Sequence, residues 1–461
     1  MEQTEKNDYL GKEKLTKLMA KFSLPCILSL LVSALYNIVD QIFIGNSELS
    51  TLGNAATGVV FPAFVIAQAF AWWFGDGCAT YLNICQGKNS TENAHKAVGT
   101  GITITLAASL VLMAVIYPLK RPALMLFGAS ENTIDMAVEY LDVILAFFPV
   151  FMLMNMTTSV IRADGSPAMA MISMLAGAVT NIVLDPVFIF AFHWGMAGAA
   201  WATVIGQVVS LAIAAVYLFR PKTFRLTFKS FIPNFGAFGE AFRLGISSFI
   251  TQTTIVVIVL VSNMMLAKYG ALSRYGADIP VAVMGIESKV FTVVINIVVG
   301  IVLGCQPLIG YNYGAKNYGR VKKLYFLILL YTVAVGVAAT LLFELFPDAV
   351  ASLFGNPTNV PNPEDYWEFC RKTFRIFLSL VTFTCVVKMS AIFFQAVGRP
   401  VRAVVASLVR DILCFLPLIL ILPRFFGIEG ILYAAPAADF IAMIVAVILT
   451  ATFMKSLKDG D

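Results

Sequence analysis

Charged residues are scarce in this sequence. Of its 461 residues only 13% are charged and 59% are hydrophobic, whereas soluble globular domains carry about twice that charged share. This composition excludes a soluble protein of this size, and the apolar runs recur at about 20 residues each, which is the length that crosses a membrane. The net charge of +5 does not indicate nucleic-acid binding, because the Lys and Arg residues lie in loops beside the apolar runs rather than in one patch.

The sequence also lacks the residue patterns of enzymes and metal proteins. Its two histidines, His95 and His193, fall in predicted loops on opposite sides of the membrane, which argues against a shared metal site or a His-based catalytic pair. The seven cysteines form no CxxC pair and most lie in apolar runs, where cysteine acts as a small hydrophobe. No Walker lysine motif is present, so ATP is not the direct energy source. We therefore expect neither enzymatic activity nor a cofactor.

Twelve apolar runs predict about twelve transmembrane helices. Six of them lie in residues 22–219, six lie in residues 241–454, and the basic segment 220–240 joins the two sets as a linker. We read the fourth run, 137–161, and the tenth, 373–397, as single helices like the others. About twenty Lys and Arg residues fall on the same side of the membrane as the N-terminal segment 1–21, and about seven fall on the other side. The positive-inside rule then places the N-terminal segment, the linker and the C-terminal tail 455–461 in the cytoplasm.

The two sets of six helices resemble each other. Four residues of the first set recur in the second set 227 positions later. Gly58 matches Gly285, Gly77 matches Gly304, Cys78 matches Cys305 and Gly87 matches Gly314. Because each set has an even number of spans, both enter the membrane from the same side, and the repeats are parallel. The sequence therefore predicts an all-α integral membrane protein in which two parallel six-helix repeats, an N-lobe and a C-lobe, surround a central cleft.

Four polar residues of the predicted N-lobe reach similar depths in the membrane. Asp40 lies near the outer end of the first span, Asn181 and Asp185 are four residues apart on one face of the fifth span, and Thr203 lies in the sixth. At 1.5 Å per residue, Asp40 lies roughly 6 Å, Thr203 about 9 Å and Asp185 roughly 10 Å below the outer surface. Their hard oxygen ligands suit Na⁺ or a shared proton. The alternative is that Asp40 faces headgroups and Asn181 bonds a neighbouring helix.

The predicted C-lobe has ionisable residues of its own, namely Glu287, Arg410, Asp411 and Asp439. Adjacent residues on a helix point about 100° apart, so we do not expect Arg410 and Asp411 simply to pair with each other, and partners on other helices are needed. For Arg410 and Asp411 a role in structural salt bridges and a role in substrate contact are equally consistent with the sequence. Glu287 and Asp439 lie in the outer halves of their spans, where a side chain can contact the cleft. Asp76 and Lys388 lie nearer the cytoplasmic ends, where we expect them to snorkel.

Four segments carry a resemblance to a known family, and they are Tyr36-Asn37-Ile38-Val39-Asp40, Asn181-Ile182-Val183-Leu184-Asp185-Pro186, Gly198-Ala199-Ala200-Trp201-Ala202-Thr203 and Gln306-Pro307-Leu308-Ile309-Gly310-Tyr311-Asn312-Tyr313-Gly314. In these segments, and in order over the whole chain, the sequence resembles the multidrug and toxic compound extrusion (MATE) family and within it the MepA-like branch. The resemblance implies an antiporter that exports drugs and dyes in exchange for H⁺ or Na⁺. It also implies that Asp40, Asn181, Asp185 and Thr203 form the cation site, with no metal beyond a possible Na⁺, and that Pro25 is a hinge in the first span.

The predicted partners are small organic compounds, mainly cationic, and the lipid bilayer of the cell membrane, with the protein acting as a monomer. Met and Phe are abundant, with 18 and 37 residues, and a cleft lined by them suits varied flat apolar ligands. One alternative is a lipid-linked saccharide flippase of the same superfamily, which needs a strongly cationic cleft. A channel is the alternative from a different class, and the parallel repeat with an acidic site in one half disfavours it.

Overall fold

The computed structural model describes residues 9–88, 90, 92–276, 278–353 and 363–457, and within these ranges every regular element is a helix. The all-α membrane fold is therefore confirmed. Several predicted features lie outside the described residues, namely the start of the N-terminal segment, the end of the C-terminal tail and the outer loop around Pro361.

In chain order the helices are α1 (Tyr9–Lys12), α2 (Leu15–Gly45), α3 (Ser50–Gly87), α4 (Glu92–Leu126), α5 (Ile134–Ala146), α6 (Phe148–Ala163), α7 (Pro167–Pro186), α8 (Gly195–Leu218), α9 (Phe235–Ala271), α10 (Asp278–Gly314), α11 (Tyr318–Leu345), α12 (Pro347–Ser352), α13 (Pro363–Lys372), α14 (Val381–Ala396), α15 (Pro400–Leu408), α16 (Leu416–Ile421), α17 (Pro423–Phe426) and α18 (Glu429–Ser456). Three π-helical segments, Val187–Ala191, Thr373–Phe377 and Val409–Phe415, and one 3₁₀ turn, Phe228–Phe231, interrupt or join them.

Ten helical segments of the described chain are long and apolar enough to cross a membrane, and two bent pairs raise the number to twelve. The prediction of single helices at the fourth and tenth spans is wrong. The fourth is bent by 57° between α5 and α6, and the tenth by 49° between Pro363–Phe377 and α14. At the first bend, Pro149 occupies the first turn of α6, and because proline lacks an N–H group and clashes with the preceding turn, the helix of α5 cannot continue through it.

The chain forms two compact units. The first comprises Met1–Thr253, Leu303–Asn317 and Ala396–Pro400, and the second comprises Thr254–Val302, Tyr318–Gln395 and Val401–Asp461. The division into lobes at the linker 220–240 stays a prediction. The main apolar cluster of the first unit joins α3, α5, α6 and α8, with Val60, Tyr140, Met152 and Val204 among its buried members. This cluster supports one side of the polar site described below.

Several of the repeated glycines are positions of very close helix packing in the first unit. A Cβ added to Gly77 of α3 would lie 2.1 Å from the carbonyl oxygen of Ala241, and one added to Gly87 would lie 2.0 Å from that of Tyr311. Any larger side chain at these two positions would push the helices apart. By contrast, added Cβ atoms at Gly58 and at its match Gly285 would meet nothing within 4 Å. The repeat in the sequence therefore reflects tight helix contacts at some of its positions and not at others.

Candidate functional site

The N-lobe candidate site lies on three neighbouring helices. Within the first unit, α7 packs against both α2 and α8. Asp40 lies near the C-terminus of α2, Asp185 lies near the C-terminus of α7, and Thr203 lies in the N-terminal half of α8. Asn181, one turn before Asp185, donates an Nδ2–H hydrogen bond to Oγ1 of Thr203 at 3.4 Å. The structure thus brings together all four residues that the sequence singled out.

Both carboxylates of this site are buried and act directly on each other. Asp185 is 0% exposed and Asp40 is 8% exposed, so Asp40 does not face the lipid headgroups. The two carboxyl groups are close enough to interact. Neither carboxylate forms an ion pair with a described Lys or Arg residue, since the ion pairs of the described chain involve other side chains. The site is therefore acidic, buried and not neutralised by the described Lys and Arg residues.

Four oxygen atoms of the site have no hydrogen-bond partner among the described residues, namely Oδ1 of Asp40, Oδ1 of Asn181, and Oδ1 and Oδ2 of Asp185. A buried polar atom without a partner costs about 1–3 kcal/mol, and more when it is charged. The described chain holds no cluster of three or more His, Cys, Asp and Glu side chains that fits a metal ion. The N-lobe set has two acidic side chains and adds amide and hydroxyl oxygens, which is a donor set that suits Na⁺ or a shared proton.

Two tyrosines complete the surroundings of the site, and the sequence reasoning missed both. Tyr140 of α5 is 5% exposed and lies near Thr203 and both carboxylates. Tyr36 lies one turn before Asp40 on α2 and close to both carboxylates. The four-residue spacing of Tyr36 and Asp40 is a signal that would have found the first tyrosine. Tyr140 carries no such signal, because it lies in an apolar run and reaches the site only through the packing of α5 on α8.

Backbone irregularity adjoins the site. Pro186 follows Asp185 directly and ends α7, and the π-helical segment Val187–Ala191 begins at the next residue. Because Pro186 has no N–H group, it cannot donate to the carbonyl of Ile182 four residues earlier. Segments of π-helix occur frequently at functional sites, and here one begins two residues after Asp185, the more deeply buried of the two carboxylates of the site.

The predicted C-lobe charges form a closed network in the second unit. Arg410 donates from Nε to Oδ1 of Asp439 at 2.8 Å and from Nη1 to Oδ1 of Asp411 at 2.8 Å. Lys388 of α14 donates from Nζ to Oδ2 of Asp411 at 3.0 Å. The interhelical partners that the sequence called for are present, since Asp439 belongs to α18 and Lys388 to α14. Two cations and two carboxylates balance one another.

The expectation that Arg410 and Asp411 do not pair with each other is wrong. Both residues lie in the π-helical segment Val409–Phe415, where successive side chains diverge by a smaller angle than in an α-helix. The long arginine side chain also curves back to the carboxylate of the next residue, and its remaining N–H groups reach Asp439. An argument from α-helical spacing therefore does not apply to this pair.

The prediction that the side chains of Asp76 and Lys388 snorkel towards the membrane surface is also wrong. The side chain of Lys388 is 16% exposed and is paired with Asp411. Asp76 is 7% exposed and accepts hydrogen bonds from Oγ of Ser159 at 2.9 Å and Oγ of Ser248 at 2.8 Å. Both side chains turn into the protein because partners on neighbouring helices satisfy their charge there.

Glu287 on α10 stands apart from this network. It is 2% exposed, its Oε2 accepts a hydrogen bond from Oγ of Ser288 at 3.4 Å, and its Oε1 has no partner among the described residues. Arg410 acts on it electrostatically but forms its contacts with Asp411 and Asp439. Glu287 is thus a buried carboxyl group with free capacity to bind.

Comparison with known proteins agrees with this architecture. The MatE family model matches residues 25–187 and 248–421. The multidrug export protein MepA of Staphylococcus aureus strain MSSA476 is 25% identical over 442 residues, which cover 96% of this chain and 94% of that protein. A crystal structure of a MATE protein in complex with MaD3S superposes with a TM-score of 0.88 at 22% identity, covering 98% of this chain and 99% of that one. A MOP superfamily transporter from Pyrococcus furiosus superposes with a TM-score of 0.89 at 23% identity over 98% of both chains, and the reverse polarity of its binding pocket is described as suggesting a different function.

Proposed function

This chain belongs to the MatE family, and from that premise we propose that it is a cation-coupled antiporter that exports drugs, dyes and other small organic compounds across the cell membrane. The exchanged ion is H⁺ or Na⁺. The name of the S. aureus relative, a multidrug export protein, supports the export of varied small molecules. One observation supports the coupling: Asp40 and Asp185 are buried close to each other without a cationic side chain among the described residues, and Asn181 lies beside them. All three side chains have oxygen atoms without a described hydrogen-bond partner.

The chemistry of the site requires a cation. Each ion that is removed from water costs several kcal/mol unless a partner compensates it. Two carboxylates side by side also repel each other, so they do not both stay ionised in an empty site. A Na⁺ ion, or one proton shared between Asp40 and Asp185, removes that repulsion. Because Asn181 donates its amide hydrogen to Thr203, its carbonyl oxygen is left to face the cation.

The first span connects this site with a place where its helix can bend. Pro25 lies inside α2, and because it has no N–H group it leaves the carbonyl of Lys21 without its helical partner. Ser29 donates from Oγ to the carbonyl oxygen of Pro25 at 2.7 Å, and such bonds often bend helices. Asp40 lies on the same helix, about 22 Å farther along at 1.5 Å per residue. We assign to Pro25 the hinge that lets α2 bend when the charge at Asp40 is neutralised, so that cation entry expels the substrate.

Within the second unit, we assign substrate contact to Glu287 in preference to Arg410, Asp411 and Asp439. Those three side chains are satisfied by one another and by Lys388, whereas Oε1 of Glu287 is buried without a partner. A buried acidic side chain without a partner favours cationic over anionic compounds by charge complementarity. The expected substrates are therefore mainly cationic.

A lipid-linked saccharide flippase is the rival within the same superfamily. The P. furiosus neighbour, whose pocket has reverse polarity, illustrates that this fold serves more than one function, so the charges of the site must decide. Among the buried acidic side chains of the described residues, Asp40, Asp185 and Glu287 have oxygen atoms without a hydrogen-bond partner, whereas anionic lipid-linked saccharides require cationic side chains. This contrast favours the export of cations.

Dye efflux from proteoliposomes tests the proposal. The purified protein is reconstituted, and inward gradients of Na⁺ and of H⁺ are imposed separately. We expect one of the two gradients to drive efflux of a cationic dye, and Asp40→Asn to abolish that response. Asp135→Asn is the matched control, because Asp135 is 78% exposed in its side chain and pairs with Arg121 away from the site. Dye flux that ignores both gradients would indicate a channel, and lipid-linked saccharide transport without dye efflux would indicate the flippase.

A further inference from the structure

The segment between α8 and α9 exposes large apolar side chains to an unusual degree. Phe228 is 96% exposed and Ile232 is 66% exposed, and Phe235, the first residue of α9, is 74% exposed. Phe219, at the start of the segment, is 85% exposed. A connecting segment in water is normally polar, and a contiguous apolar surface indicates a partner that covers it.

The segment is held firmly at its start. Asp164, which follows α6, is 0% exposed and accepts hydrogen bonds from the backbone N–H groups of Lys222 at 2.6 Å and Thr223 at 2.9 Å. The Tyr217 hydroxyl donates to the same carboxylate at 2.6 Å. Burial raises the pKa of the Asp164 carboxyl group, and the hydrogen bonds from Thr223, Tyr217 and Lys222 oppose that rise. These contacts give the segment a fixed path as it leaves α8.

Its 3₁₀ turn, Phe228–Phe231, is docked by its backbone against α4. Oγ1 of Thr103 donates to the carbonyl oxygen of Phe231 at 2.8 Å, and the N–H group of Asn234 donates to Oγ1 of Thr100 at 3.0 Å. Gly99 permits the approach, because an added Cβ there would lie 2.2 Å from the carbonyl oxygen of Ser230. The backbone therefore faces the protein, and the large side chains of the turn face away from it.

The docking position sets the depth of the turn in the bilayer. The helix that crosses the membrane here spans Asn93–Leu126, and its apolar run begins at Val98. Thr103 lies five residues into that run, which is about 8 Å at 1.5 Å per residue. A turn fixed beside residues 99–103 lies at the boundary between headgroups and acyl chains. Its backbone bonds to Thr100 and Thr103 meet the requirement that polar backbone groups be satisfied at that depth.

The charge of the segment complements one kind of lipid. Residues 219–239 include four basic side chains and no acidic one. The four are exposed, and they are Arg220, Lys222, Arg225 and Lys229. Aromatic and aliphatic side chains beside Lys and Arg are typical of segments that lie in the interface of an anionic leaflet.

We infer that this segment is an interfacial anchor that binds anionic phospholipid, with Phe228, Ile232 and Phe235 inserted into the leaflet and Arg225 and Lys229 on the phosphates of the headgroups. The inference rests on helix positions, exposure and charge, and it is independent of the ion that drives transport. It gives the linker a binding function in addition to its role as a connection.

Depth measurement with a spin label at Phe228→Cys tests the insertion. The seven native cysteines are buried, so the introduced thiol is labelled selectively in protein held in lipid nanodiscs. We expect the label to collide mainly with oxygen, which is concentrated in the bilayer, as does a label at the lipid-facing control Val216→Cys, a position that is 69% exposed on α8. A label at Glu131→Cys, in the exposed turn after α4, should collide mainly with a water-soluble nickel chelate. If the label at residue 228 collides mainly with the nickel chelate, as the label at residue 131 does, the anchor is refuted. If neither oxygen nor the nickel chelate reaches the label at residue 228, a second protein copy covers this surface, and the assignment to lipid is also refuted.

Lipid selectivity tests the role of the basic side chains. The enrichment of spin-labelled phosphatidylglycerol over phosphatidylcholine around the protein is compared between the wild type and the variants Arg225→Gln and Lys229→Gln. We expect each substitution to reduce that enrichment about fivefold at low salt. Arg424→Gln, which removes an exposed basic residue beyond α16, is the matched control and should leave the enrichment unchanged. Equal enrichment in all four proteins would overturn the assignment of these residues to phosphates. Because neither readout involves transport, both results stand whether or not the antiporter proposal holds.

Discussion

The two compact units each bury a cluster of charge, and the clusters are balanced in opposite ways. In the first unit Asp40 and Asp185 have no cationic partner, and several of their oxygen atoms make no hydrogen bond within the described residues. In the second unit Arg410 and Lys388 neutralise Asp411 and Asp439 through three ion pairs of 2.8–3.0 Å. Removing charge from water costs free energy in both clusters, but only the second is compensated by described side chains of the protein itself.

The difference shows which buried charges to associate with function. An ionisable residue inside a membrane protein is a functional candidate by default, and by that rule all of these residues were candidates. The C-lobe network is electrically complete, which is what a structural bridge between helices requires. The N-lobe pair is incomplete and reaches its lowest free energy only with a cation. Incomplete compensation, more than burial alone, is therefore the reason to propose the first cluster, and not the second, as the cation site.

The largest effect is expected for Asp185→Asn. This substitution mimics the neutral state of the first cluster, so gradient-driven dye efflux should fall to the rate of protein-free vesicles. Thermal stability should not fall, because a repelling charge is removed from a site with no cationic partner. Efflux and thermal unfolding of the purified protein are measured in parallel. Wild-type efflux with unchanged dependence on Na⁺ and pH would move the coupling site away from this pair.

Arg410→Met, in the second cluster, should instead lower the stability of the protein. It leaves Asp439 buried without its cation, which costs about 3–5 kcal/mol of folding free energy. The double variant Arg410→Met with Asp439→Leu removes both charges and should recover most of the loss. Unfolding midpoints in detergent measure both effects. If the single variant is as stable as the wild type while cationic dyes no longer bind, Arg410 belongs to a substrate site and not to a structural network.

Glu287→Gln should give an intermediate effect that is confined to the substrate. The carboxylate has free capacity at Oε1, and its loss should weaken the affinity for a cationic dye about tenfold, since a hydrogen bond to a charged group is worth about 1.5–3 kcal/mol and Gln retains the neutral part. Efflux of a zwitterionic drug should change less. Concentration dependence of efflux for the two compounds is the measurement. Equal losses for both compounds would make Glu287 structural.

Thr203→Val should give the smallest effect. It removes one neutral oxygen and the acceptor for the Asn181 amide, which is worth about 1 kcal/mol. The cation concentration for half-maximal efflux should rise about fivefold, while the maximal rate is retained. Thr203→Ser, which retains the hydroxyl group, is the control and should behave like the wild type. A shift of the same size in the serine variant would assign the effect to packing.

Much of the fold and part of the site follow from the sequence, because both depend on one-dimensional regularities. Apolar runs of span length predict the membrane helices, and the all-helical fold and the family are confirmed. The similar depth of Asp40, Asp185 and Thr203 follows from the constant rise of a helix, and the four-residue spacing places Asn181 on the same face as Asp185. Their convergence on three packed helices agrees with that count. Their role in coupling, the orientation of the termini and the lobe boundary at residues 220–240 stay predictions.

Tertiary structure alone decided which charges have partners. The pairing of Lys388 with Asp411, the burial of Asp76 against Ser159 and Ser248, and the approach of Tyr140 to the carboxylates all join residues on different helices. The rise per residue gives the depth of a side chain but not the rotation and neighbours of its helix. The contact between Arg410 and Asp411 depends further on a local π-helical turn, which changes the angle between adjacent side chains. The sequence by itself thus determined where the charged residues lie along their helices, and only the packing of the helices decided which of them are neutralised by the protein and which have no partner within the described residues.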